Sequence, residues 1–64
     1  MTTEQRAQLM AHVDAAERSA RAAYDLAYGS LYAAVDPETR GHISIALQHI
    51  QRAQQQLQEG AAHE

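Results

Sequence analysis

A lone proline, Pro37, stands just past the middle of a 64-residue chain otherwise made mostly of helix formers. Proline has no amide hydrogen and crowds the carbonyl four residues back, so a helix can start with it but not run through it. It also pushes the residue before it out of the α region. Asp36 is therefore placed as an N-cap, with Pro37 in the first turn and Glu38 complementing the positive end of the helix dipole. This predicts a second helix over about 37–59. Gly60 can take the left-handed conformation that closes a helix, and 60–64 form a frayed tail. The first helix opens at Thr2, with Gln5 at the capping-box spacing, and is expected over about 3–34. Only 35–36 remain as the turn, and so short a connection joins antiparallel neighbours. The expected fold is all-α: an antiparallel two-helix hairpin, with 1–64 as a single domain.

A rival division ends the first helix at Tyr28, with Gly29 as terminator and 30–35 as a loop. Continuation is preferred because Leu31, Ala34 and Val35 stay in phase with Leu9, Met10, Val13, Ala16, Ala20, Ala23, Tyr24 and Ala27 at about 100° per residue. Gly29 then falls on the outer face, at roughly 1 kcal/mol relative to alanine.

In heptads, the first helix sets Met10, Glu17, Tyr24 and Leu31 at one core position and Val13, Ala20, Ala27 and Ala34 at the other. The second alternates Ile43, Ile50 and Leu57 with Ala46 and Ala53. With the turn near Asp36, residues whose numbers sum to about 70 or 71 lie level, pairing Val13 with Leu57, Ala20 with Ile50, Tyr24 with Leu47 and Ala27 with Ile43.

The apolar arc of the first helix is about 140° wide, more than a single neighbouring helix covers. A chain this short buries only about 60% of the surface that its unfolded form exposes. Without cysteine, disulfides and thiolate metal sites are excluded, which leaves a partner chain as the means of completing the core. The expected partner is a second copy, giving a homodimeric four-helix bundle in preference to a tetramer. Met10, Val13, Tyr24, Leu31, Ile43, Leu47, Ile50 and Leu57 are its interface residues. Two polar residues interrupt the stripes, Glu17 and Gln54. They fall level and are expected to face one another as a pair that fixes register.

Leu26 and Ile45 leave their helices' apolar faces, also at one level, and are candidates for contact with another protein. Tyr28 and Tyr32 belong with them, because tyrosine is favoured in interface hot spots and the two drift from the core edge toward solvent.

Net charge is −3, with five arginines and no lysine, so nucleic acid is disfavoured; an RNA-binding reading would rest on Arg18, Arg21 and Arg52. A metal or small-ligand reading would rest on His42, His49 and Glu38. His42 and His49, seven residues apart, are separated by about 10.5 Å along the helix, too far for one ion. Glu38 with His42, and Glu59 with His63, have chelating spacing but supply two ligands each, fewer than zinc usually takes. No serine, cysteine or lysine is placed with a base, and no glycine-rich phosphate loop is present. The expectation is a non-enzymatic protein without cofactors. No apolar run reaches the ~20 residues of a membrane span, and the N-terminus lacks a signal core, so the expected location is the cytoplasm. Abundant alanine with arginine in place of lysine suits a GC-rich bacterial or phage genome.

Overall fold

The computed structural model describes the backbone of residues 1–62 and the side chains of residues 1–60. It is all-helical: α1 (Thr3–Ala27), a short 3-10 turn (Tyr32–Ala34) and α2 (Pro37–Ala62). The two helices pack antiparallel as a rod of 46 × 14 × 13 Å. Contacts run from Arg6 against Leu57 at the open end to Tyr28 against Arg40 at the turn.

Both helix starts form as their sequences predict. At α1 the Gln5 amide donates to Thr2 Oγ1 at 3.1 Å, and the Thr2 amide donates to Gln5 Oε1 at 2.9 Å. Each bond satisfies an amide that has no partner within the helix. At α2 the Thr39 amide donates to Asp36 Oδ2 at 2.9 Å, and the Thr39 hydroxyl donates to Asp36 Oδ1 at 2.6 Å.

The end of the first helix differs from expectation. α1 stops at Ala27 rather than about 34, nearer to the rival division, and Leu31 carries 46% of its exposable surface to solvent. The path it takes requires glycine at residue 29, where a Cβ would sit 2.5 Å from the Asp25 carbonyl oxygen. The chain leaves the helix in this tight passage: the Leu31 amide reaches back five residues to Leu26 O at 2.9 Å, and Ala34 and Val35 amides both turn to Leu31 O. Val35 then adopts extended backbone at φ −106°, ψ 129°. Phase alone favours a continuing helix, but the absence of a side chain at residue 29 lets the chain take this tighter path.

Gly60 also departs from its expected role. α2 continues to Ala62, and no described residue has positive φ. The glycine instead leaves room for Arg6, whose Nη1 would lie 2.5 Å from a Cβ at this position. Arg6 Nη1 donates to Leu57 O at 3.3 Å, which puts a cation beside the negative end of α2. Of the tail expected over 60–64, residues 63–64 lie outside the described residues.

As far as Ala27 the seam on α1 follows the heptads, with Met10, Val13, Glu17, Ala20, Tyr24 and Ala27 all buried or half-buried, whereas Leu31 and Ala34, expected to continue it, lie past the helix end and are exposed. On α2 the seam is Ile43, Leu47, Ile50, Gln54 and Leu57, spaced four and three residues apart. Leu47 is buried while Ala46 is exposed, so the alanines expected in the seam form its flank. Register moves as well. The cross-helix bonds Gln54 Nε2 to Asp14 Oδ1 (2.9 Å) and Tyr28 hydroxyl to Arg40 O (3.2 Å) join residues whose numbers sum to 68. Because α1 ends early, the chain reverses sooner, and the level partners move by two to three positions from the expected 70 or 71.

Candidate interaction surfaces

The displaced register separates the expected polar pair. Gln54 binds Asp14, and Glu17 is held by Arg21 one turn along α1, with Arg21 Nε donating to Glu17 Oε1 at 2.7 Å. Glu17 is 8% exposed while the Arg21 side chain is 59% exposed. Glu17 is the one buried charged residue among those described. A carboxylate taken out of water beside a solvent-facing arginine recovers little of its desolvation cost.

Tyr28 and Tyr32 are both exposed and both tied to Arg40. The Tyr28 hydroxyl donates to Arg40 O, and the Arg40 guanidinium lies 3.9 Å from the centre of the Tyr32 ring. Arg40 Nη1 also donates to Tyr32 O at 2.9 Å and to Val35 O. One guanidinium thus satisfies two carbonyls of the irregular turn and stacks on an aromatic face. Tyr24 stacks on Tyr28 with ring centroids 4.5 Å apart. Sequence reasoning missed Arg40. Its signal was present in the turn itself, where an irregular connection leaves carbonyls without helical partners and a nearby arginine can reach them.

Asp36 is the other charged member of this end. The Thr39 hydroxyl and then the Thr39 amide hold its carboxyl below the usual carboxylate range, with the Arg40 charge adding in the same direction.

Leu26 and Ile45 are each about half exposed. At 100° per residue both lie roughly 160–170° round from their helix's packed side. They therefore point outward on opposite sides of the hairpin and do not make a common surface. The arginines behave similarly: Arg21 is engaged by Glu17, while Arg18 and Arg52 lie about 120° and 170° round from the packed sides of α1 and α2. No joint basic patch forms from the three. His42 stands 3.8 Å from Glu38 as a solvent-facing pair. His49 lies two turns further along the same edge, and no group of three or more metal-ligating side chains occurs among the described residues.

What remains is apolar surface. Among the described residues only Ala27 and Leu47 are buried apolar side chains, and Leu9, Leu26, Leu31 and Ile45 are exposed with Tyr28 and Tyr32. No helix among the described residues is long and apolar enough to cross a membrane. The chain matches no protein-family model, no curated protein and no solved structure.

Proposed function

We propose that this chain is a non-catalytic helical interaction protein that works in the cytoplasm as a homo-oligomer. Two hairpins close into a four-helix bundle, whose outer faces scaffold or regulate another macromolecule. The observation that carries the reading is the thin core within one hairpin, where among the described residues two apolar side chains, Ala27 and Leu47, are buried and the other apolar residues of the seam are half-buried. Hydrophobic burial near 25 cal/mol per Å² has to offset the conformational entropy of the whole chain, and a seam that is half-buried at most of its apolar positions leaves much of that contribution unrealised. A second hairpin supplies the missing apolar partner surface.

Sedimentation equilibrium across a wide concentration range, with circular dichroism on the same samples, tests this. The expected result is a dimer whose helicity falls as it dissociates. A helical monomer that remains folded on dilution would overturn the reading.

A further inference from the structure

We infer that a second copy docks on one particular side of the hairpin, the side carrying Leu9, Ala16 and Ala23 of α1 and Ala46, Ile50 and Leu57 of α2. This rests on the homo-oligomeric reading above and adds which face is covered.

Geometry puts these residues together. Along α1, Leu9, Ala16 and Ala23 recur every seven residues on one flank of the seam, and Asp14 and Arg21, followed by Tyr28 just past the helix end, recur on the other. Along α2, Ala46 and Ala53 hold the corresponding flank, with Ser44, Gln51 and Gln58 opposite. Because α1 and α2 run in opposite directions, corresponding heptad flanks fall on the same side of the hairpin. The Gln54–Asp14 hydrogen bond marks the polar side. Through its middle the other side carries apolar side chains on both helices, bounded by Thr39 at the turn end and by the Arg6 guanidinium beside Gly60 at the open end, and Leu9, Ala16, Ala23 and Ala46 on it are solvent-exposed. His12, His42 and His49 stand at its two outer rims, the polar border expected of an interface.

The surface area argues for the occupant. A folded monomer of 7.0 kDa is expected to expose about 4,000 Å², and the hairpin exposes 4695 Å². The surplus of roughly 650–700 Å² approaches the ~800 Å² per partner of a standard interface. The radius of gyration, 14.4 Å, likewise exceeds the ~11 Å of a compact chain this long. One more two-helix layer supplies what both quantities lack. A second copy has the matching chemistry, because alanine-rich flanks let two such layers approach to the close end of the 8–10 Å helix spacing.

Ala16→Glu and Ala23→Glu test the face, with Ala15→Glu as the control one residue away on the outer side. All three sites are exposed in the hairpin, and the substitutions carry the same helix propensity. In sedimentation equilibrium, Ala16→Glu and Ala23→Glu should weaken the dimer on the order of a hundredfold by burying an unpaired carboxylate. Ala15→Glu should change it by no more than about twofold. In a mixed isotope-labelled dimer, intermolecular NOEs should appear at the methyls of Leu9, Ala16 and Ala23, independently of how any variant folds. A wild-type dimer indifferent to Ala16→Glu, or with intermolecular NOEs centred on Tyr28 and Gln51, would overturn the face while leaving the homo-oligomer standing. A wild-type chain monomeric at every concentration would overturn both.

Discussion

Replacing Glu17 with leucine should stabilise this protein, although it deletes an ion pair. Glu17 stands in the seam at 8% exposure, and its partner Arg21 faces solvent. What is lost is one i,i+4 pair, worth about 0.3–0.5 kcal/mol where one partner is exposed. What is gained is the burial of a leucine side chain, about 1.5–3 kcal/mol, together with removal of a carboxylate that was being held out of water. The net expectation is a gain of roughly 1–3 kcal/mol, or about 4–8 °C in Tm for each kcal/mol in a chain of this size. Thermal unfolding followed by circular dichroism, at one fixed protein concentration, measures it, because Tm of a self-associating chain depends on concentration. Glu17→Gln, which keeps the shape and removes the charge, should fall between wild type and Glu17→Leu. A Tm for Glu17→Leu below that of wild type would refute the reasoning, since it would show that the carboxylate makes a stabilising contact that a single hairpin does not contain.

Arg40→Met keeps the aliphatic stem and helix propensity but leaves the Tyr32 and Val35 carbonyls without their donor. It should cost about 2–3 kcal/mol in urea unfolding, with faster amide exchange at Leu31, Ala34 and Val35; unchanged exchange there would sink the assigned role. Two glycines should respond differently to alanine. Gly29→Ala meets the Asp25 backbone oxygen and should destabilise by about 1–3 kcal/mol, whereas Gly60→Ala meets only the movable end of Arg6. There the helix-propensity gain, up to about 1 kcal/mol, offsets the displacement, and equal losses at both sites in parallel melts would contradict this account. Asp36→Ala should destabilise at pH 7, and the difference from wild type should shrink as pH falls. Its folded carboxyl titrates below the unfolded one, so its contribution is complete above about pH 4 and is lost as pH falls further, through the folded value. A pH-independent difference in Tm between pH 7 and pH 2.5 would exclude it.

The helix starts were legible because each is written locally, in Thr2 with Gln5 and in Asp36 with Pro37. The α1 seam was legible because its apolar residues recur with the heptad. The end of α1 was not, because periodicity reports which residues agree in phase and says nothing of the clearance at residue 29. That single error propagated. An earlier reversal shifted the register by two to three positions and gave Gln54 and Glu17 different partners, Asp14 and Arg21. The place of Ala46 and Ala53 on the flank is a separate matter of rotation, since Leu47 and Gln54 take the inward positions beside Ile43, Ile50 and Leu57. Arg6 and Arg40 escaped notice for a related reason: arginines were weighed as a means of attracting phosphate, while these two serve carbonyls that become available only once the chain has folded back.

The contact of Arg6 with Leu57 and Gly60 has a consequence for anything joined to the chain. It fastens the start of α1 to the last turns of α2, so segments continuing from either end depart from the same tip of the rod, about one helix-pair spacing apart. Some sixty residues of polypeptide therefore span almost no distance between their ends. Placed within or between other sequences, the hairpin acts as a clip that holds two flanking segments side by side and removes most of the loop-closure entropy a flexible insert of that length would impose.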